Sequence, residues 1–167
     1  MAHLFKYDST YGRYPGSVEP SNGGFSVDGK RVGGLAERDP ASIPWGDMGV
    51  EIVLECTGQF TDGSKAWAHM EGGAKKVIIS APAANVDYTL ILGVNDGEYD
   101  PQTHRIISAG SCTTNCVVPV VKVLHDNFTV RKGLMSTVHA YTGDQRLQDG
   151  SHRDLRRARS AAINIIP

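Results

Sequence analysis

A cysteine set where a β-like run gives way to a helix is the feature of this chain with the clearest chemical meaning. From residue 108 the sequence reads SAGSCTTNCVVPVVKVLHDNF. Ala109 and Gly110 form a small-residue turn, and Ser111, Cys112, Thr113, Thr114, Asn115 and Cys116 follow it. Val117, Val120, Val121, Leu124 and Phe128 then fall on one apolar stripe, which predicts a helix with a buried face. Unpaired N–H groups and the positive end of the helix dipole favour an anion at such a start. A thiolate at Cys112 is therefore stabilised, and its pKa is expected to fall. The hydroxyl and amide groups of Ser111, Thr113, Thr114 and Asn115 are suited to capping the helix or holding an anionic ligand. Pro119 is expected early enough in the helix to cost no hydrogen bond. The chemistry implied is that of a nucleophilic thiol.

A nucleophile needs a base. His139 lies near the end of LMSTVHAY (134–141), which reads as a strand, and it forms a nucleophile–base pair with Cys112 if the fold brings the two together. The other reading makes Cys112 a structural thiol and His139 a hydrogen-bonded core histidine; spacing leaves both open. Cys112 and Cys116 lack the further ligands of a tetrahedral site, so no metal is expected, and Cys116 reads as a small apolar residue packed on the helix. Three cysteines make no disulfide framework and fit a reducing compartment.

The elements that must position these groups form a strand–helix series. Residues 3–9 read as the end of a helix. Weak alternation over 12–31 with Asn22-Gly23-Gly24 and Asp28-Gly29 predicts short hairpins. An apolar run from Val50 ends at Thr57-Gly58. Thr61-Asp62 predicts a helix through His69 closed by Gly72-Gly73. Lys76 to Ser80 reads as a strand buried on both faces, residues 89–94 (TLILGV) as another, and Arg105 to Ser108 leads into the cysteine turn. This pattern predicts an α/β fold with a parallel sheet. Ligands in such sheets sit beyond the carboxyl ends of strands, where Thr57-Gly58, Ser80-Ala81-Pro82 and Ser111-Cys112 all fall. The sequence contains no G-x-G-x-x-G.

The chain has 167 residues, is 40% hydrophobic and carries a net charge of −1, so it can build a core and has no global bias toward nucleic acid or membrane. No apolar run reaches the ~18 residues of a membrane span, and no secretion-signal pattern is visible; a soluble intracellular protein is expected. The Arg-rich stretch 146–159 is interleaved with Asp149 and Asp154 and reads as a solvated or subunit-facing loop. The abrupt helical start, and an ending on an apolar run with a proline at 164–167, suggest a piece of a longer protein.

Taken together, FKYDSTYGRY (5–14), ERDP (37–40), IPW (43–45), ECTGQF (55–60), GGAKKVIISAP (72–82), AGSCTTNC (109–116), KVLHDNF (122–128), TVHAYTGDQ (137–145) and HRDLRRARSAAINIIP (152–167) are very similar to phosphorylating glyceraldehyde-3-phosphate dehydrogenases. SCTTNC and VHAYT at this separation carry most of the specificity. The resemblance implies an incomplete Rossmann-type parallel sheet, a partial dinucleotide-binding domain over 1–110, and the first part of an α+β catalytic domain over 111–167. It matches Cys112 to the catalytic nucleophile and His139 to its base. Ser111, Thr113 and Thr142 match positions around substrate or phosphate, and Arg38, Thr57, Gly58 and Ser80 match the cofactor side. Asn115 matches a supporting position beside them.

The implied reaction oxidises glyceraldehyde 3-phosphate, with inorganic phosphate, to 1,3-bisphosphoglycerate through a cysteine thioester. The implied cofactor is NAD, with NADP as the alternative because Gly150-Ser151 resembles the loop of bacterial and plastid-type forms. A homotetramer in the cytoplasm, with the plastid as the alternative, is implied, and no membrane or specific nucleic-acid partner. The family's opening strand, Gly-rich turn and later arginine have no counterpart in the sequence, so this piece alone is expected to bind cofactor poorly and to lack activity. The motifs also discriminate against rival readings. An erythrose-4-phosphate dehydrogenase shares SCTTNC, but Tyr141-Thr142-Gly143 fits the glyceraldehyde phosphate enzyme better. A non-catalytic binding relative acting through 146–159 has no need of both Cys112 and His139.

Overall fold

The computed structural model describes residues 1–163; the apolar ending at 164–167 lies outside the described residues. The chain divides into two compact units, Met1–Thr129 and a second beginning at Val130.

The first unit opens with a five-residue helix α1 (Ala2–Lys6) and a two-residue pairing of β1 (Tyr7–Asp8) with β2 (Gly12–Arg13). The helix is shorter than the sequence predicts because the backbone at Tyr7 turns extended to pair with Arg13. An antiparallel meander follows, β3 (Val18–Ser21), β4 (Gly24–Val27) and β5 (Lys30–Gly33). Its second turn has positive φ at both Asp28 (48°) and Gly29 (78°), the conformation a two-residue hairpin demands. The hairpins expected from Asn22-Gly23-Gly24 and Asp28-Gly29 are therefore present.

The parallel sheet comes next: β6 (Ile52–Glu55), β7 (Lys76–Ile79), β8 (Tyr88–Thr89) and β9 (Ile106–Ser108), in spatial order β6-β7-β9-β8 with every pairing parallel. This is a Rossmann-type arrangement of parallel strands joined by crossovers. Between β6 and β7 the chain forms α2 (Gly63–Ala66) and α3 (Ala68–Glu71), two short pieces where the sequence suggests one helix. Asp62 caps α2 by accepting the Ser64 N–H at 2.9 Å, and that bond holds its carboxyl below the usual range. Ala66 and Met70 pack on Val77, Ile79 and Ile106 to form the core.

The helices cover one side of the sheet only. Val77 and Ile79 are sealed, whereas Ile52 and Leu54 on the other side of β6 are exposed. β7 thus alternates in burial instead of being buried on both faces. The strand expected over 89–94 stops at Thr89. Asn95 explains the stop: its side chain accepts the Ile91 N–H at 2.8 Å and donates to the Thr89 carbonyl at 2.9 Å, which folds the backbone into a turn.

α4 (Cys112–Phe128) leaves the end of β9. Its apolar stripe is not buried: Val120, Val121, Leu124 and Phe128 are all exposed. Because the helix begins at Cys112, Pro119 lies in its interior and gives no N–H to the Asn115 carbonyl.

The second unit has no helix or strand among its described residues. Residues 134–141, expected as a strand, have no neighbouring strand in the unit to supply ladder hydrogen bonds, and Leu134 and Val138 are fully exposed. Further on, loop segments bind each other through Arg146 N–H to the Arg157 carbonyl (3.1 Å) and Gly150 N–H to the Ala158 carbonyl (3.0 Å). No helix among the described residues is long and apolar enough to cross a membrane.

Candidate functional site

Two places in the first unit hold the singled-out residues that precede Val130, both at the carboxyl ends of parallel strands. The first follows β9. Ser111 is the N-cap of α4, and its hydroxyl oxygen accepts the Thr114 N–H at 2.9 Å while lying 2.7 Å from the Thr114 hydroxyl. Cys112 is the first residue of the helix proper, with an exposed side chain. Asn115 closes the turn from behind, donating its amide to the carbonyls of Ala109 (2.7 Å) and Ser111 (2.8 Å). Gly110 has φ +69°, and a Cβ there would stand 2.8 Å from Ile91 Cδ1, so the chain passes closely against the turn that follows β8. Ser111, Cys112 and Thr113 are thereby consecutive on one rigidly capped turn. Cys116 is exposed and does not pack as an apolar residue.

The second place follows β6. A cleft of about 470 Å³ is lined by Arg38, Pro40, Ile43, Thr57, Gln59 and Phe60, among others, with Glu55 and His69 in its floor. That size and mixture of aromatic, apolar and polar groups suit a small organic ligand. Thr57 and Arg38 meet here. Gly58, the next residue, has φ +71° and turns the chain away from the strand. Ser80 ends β7 alongside, its N–H bound to the Glu55 carbonyl at 3.0 Å.

A buried polar chain underlies this cleft. Glu55 and His69 are 4% and 5% exposed, and Glu55 Oε2 lies 3.0 Å from His69 Nε2. The other carboxylate oxygen accepts two bonds from Thr57, from its N–H at 2.7 Å and its hydroxyl at 2.5 Å. On the far side, Trp45 Nε1–H donates to His69 Nδ1 at 3.2 Å. An indole N–H only donates, so Nδ1 carries a lone pair and the ring proton sits on Nε2, facing Glu55. Burial acts to raise the pKa of Glu55, but the Thr57 hydroxyl, the Thr57 N–H and His69 together outweigh it and hold the carboxyl below its usual value.

Close backbone contact at two glycines lets Trp45 reach. Gly46 N–H binds the Gly72 carbonyl at 3.0 Å, and at Gly73 (φ +99°) a Cβ would lie 2.6 Å from the Gly46 nitrogen. Sequence reading passed over Glu55, His69 and Trp45 as site residues. The signal was an acid in a strand otherwise apolar, which folding must pair once it is buried.

His139 and Thr142 belong to the second unit. His139 Nδ1–H donates to the Ala140 carbonyl at 2.5 Å, an oxygen that only accepts, so the ring position left to accept a proton is Nε2. The Thr142 N–H and hydroxyl both donate to Gln145 Oε1, at 2.6 and 3.0 Å, closing a small turn. Beyond it the arginines are paired within the loop: Arg157 with Asp144 (3.0 Å), Arg159 with Asp149 (2.9 Å) and Arg156 with Asp154 (3.2 Å).

Two family models match the chain. That of the glyceraldehyde 3-phosphate dehydrogenase NAD binding domain matches residues 1–63, and that of the C-terminal domain of the same enzyme matches residues 111–167. Among characterised proteins, glyceraldehyde-3-phosphate dehydrogenase 1 of Streptomyces arenae is 59% identical over 167 residues, the whole of this chain and 50% of the relative. The glyceraldehyde-3-phosphate dehydrogenase of Clostridium acetobutylicum is 55% identical over 169 aligned residues, and that of Geobacillus stearothermophilus 54% over 167, again with all of this chain and 50% of each relative covered. The chain spans about half the length of the curated relatives it matches.

Proposed function

The chain belongs to the glyceraldehyde-3-phosphate dehydrogenase family, and from that premise we propose that it serves the phosphorylating oxidation of glyceraldehyde 3-phosphate with NAD. The observation that carries the reading is the placement of Cys112 as the first residue of a capped 17-residue helix at the carboxyl end of a parallel strand.

In this reading Cys112 Sγ, as the thiolate, bonds to the aldehyde carbon and gives a hemithioacetal. His139 Nε2 takes the hydroxyl proton, so that the same carbon can release a hydride and become the carbonyl of a thioester. Inorganic phosphate then attacks that carbonyl, forming the acyl phosphate and returning the thiolate. Ser111, Thr113 and Thr142 offer hydroxyl groups to substrate and phosphate oxygens. The cleft below Arg38, Thr57 and Phe60, with its aromatic and polar lining, supports placing part of the dinucleotide there. Arg38, Thr57, Gly58 and Ser80 are the groups that would hold it. When bound, NAD supplies the hydride acceptor.

The nucleotide side is assigned to 1–110 and the catalytic side to 111–167, a division supported by the C-terminal-domain model beginning at residue 111. A homotetramer in the cytoplasm is the assembly and location that go with this reading.

Alkylation tests it directly. Cys56, Cys112 and Cys116 are all exposed, so exposure alone gives three similar rates. With iodoacetamide at neutral pH and peptide mapping, Cys112 is expected to react at least about tenfold faster than the other two. Equal rates would remove the nucleophile from the reading.

A further inference from the structure

Nothing in the reaction just described uses His69, yet it is among the most buried polar side chains among the described residues and lies in the floor of the cleft. Every polar atom of the chain it belongs to is matched donor to acceptor in one direction. Trp45 Nε1–H gives to His69 Nδ1, His69 Nε2–H gives to Glu55 Oε2, and Thr57 gives twice to Glu55 Oε1. Reversing any link sets two donors or two acceptors against each other at the buried Glu55 and His69 side chains. His69 is therefore held in one tautomer, and Glu55 in one orientation. The hydroxyl of Thr57, fixed by Glu55, in turn accepts the Gln59 N–H at 3.2 Å. The order imposed at Trp45 thus ends in the shape of the turn over 57–59.

We propose that His69 is a positioning residue: through Glu55 it fixes the turn over 57–59 in the conformation that receives the dinucleotide. The receiving role rests on the reading of the cleft as the NAD site; the fixing of the turn does not.

Packing and hydrogen bonding are separable at this position. His69→Leu keeps much of the volume and removes both bonds. His69→Gln keeps an acceptor and a donor on one planar group and restores the order of donors. Amide hydrogen exchange, read residue by residue by NMR on the 167-residue chain, reports the turn. In His69→Leu, exchange at Thr57 and Gln59 is expected to rise by about tenfold, the factor one lost hydrogen bond is worth, while amides of β7 stay as they were. His69→Gln is expected to return most of that protection. Unchanged exchange in His69→Leu, or no recovery in His69→Gln, overturns the proposal. If His69→Leu does not fold, Trp45→Phe takes its place; faster exchange at Thr57 is expected, and parental exchange overturns the idea.

NAD is the probe for the second half. Its binding is expected to be weak in the parent because the sequence has no Gly-rich phosphate turn, so the dissociation constant is read by NMR titration up to millimolar NAD. That constant is expected to rise in His69→Leu and recover in His69→Gln. If the exchange pattern appears but NAD binds neither parent nor variant, the positioning role stands and the assignment of the cleft falls. If NAD binds all forms equally, the positioning role in cofactor binding falls and the assignment survives.

Discussion

Thr57 spends both of its donors, backbone N–H and side-chain hydroxyl, on one oxygen of Glu55, at 2.7 and 2.5 Å. The carboxylate sits at the end of β6 and is buried, so the second residue beyond the strand is bound to the residue that ends it. The cleft wall and the sheet are thereby one structure.

The pH dependence follows with a definite sign. The folded-state pKa of Glu55 lies below the 4.5 of an unperturbed glutamate. Its contribution to stability is accordingly full above that value and is lost as pH falls through the depressed folded pKa. Thr57→Val, which deletes one of the bonds holding the carboxylate, is expected to shift this loss to higher pH. It should also cost about 1–3 kcal/mol at neutral pH. Urea unfolding of both forms between neutral and acid pH measures both effects; parallel curves would count against this account.

Gly73→Ala is expected to damage the same chain from its other end. A side chain there meets both an unfavourable φ of +99° and the Gly46 nitrogen at 2.6 Å. The loop bearing Trp45 must retreat from His69 to make room. In a Trp67→Phe background Trp45 is the sole tryptophan, and its fluorescence is expected to change on this substitution along with a lowered melting temperature.

Removal of the helix cap should be felt at the thiol. Ser111→Ala deletes the acceptor of the Thr114 N–H, at a cost of about 1 kcal/mol. Ser111→Gly, which loses the same hydroxyl but tolerates the cap backbone, is expected to cost only a few tenths of that. Alkylation of Cys112 is expected to slow in Ser111→Ala, as a frayed first turn presents fewer aligned N–H groups to the sulfur. Mass-spectrometric rates for the two variants check the order.

Core substitutions separate the sealed side of the sheet from the open one. Ile79→Ala, on the covered side, is expected to cost about 2–5 kcal/mol. Leu54→Ala, 66% exposed on the neighbouring strand, is expected to cost far less. Equal denaturation midpoints for the two would contradict the one-sided packing.

What the sequence made legible were the features set by local chemistry. Asp28-Gly29 dictated its turn, Asp62 and Ser111 their caps, and the apolar runs at Ile52 and Val77 their parallel strands. Features that depend on distant partners were hidden. Nothing local at Asn95 announces that its side chain will terminate the run from Thr89. The stripe from Val117 to Phe128 has helical period, but period alone does not say what covers it. The same limit applies to residues 134–141, whose β-like composition needs a neighbour that their own unit does not provide. Glu55 was read as part of a motif, yet its partners lie at Trp45 and His69, and only folding brings those three together.

The two amide hydrogens of Asn115 fasten the opening of α4 backward, onto Ala109 and Ser111, while Pro119 interrupts the ladder one turn ahead. The segment bearing the sulfur therefore belongs mechanically to the strand that precedes it, not to the long helix that follows. Heating or bending of the distal turns has a weak joint to cross before it disturbs the reactive end, and the two ends of one helix are free to melt at different temperatures.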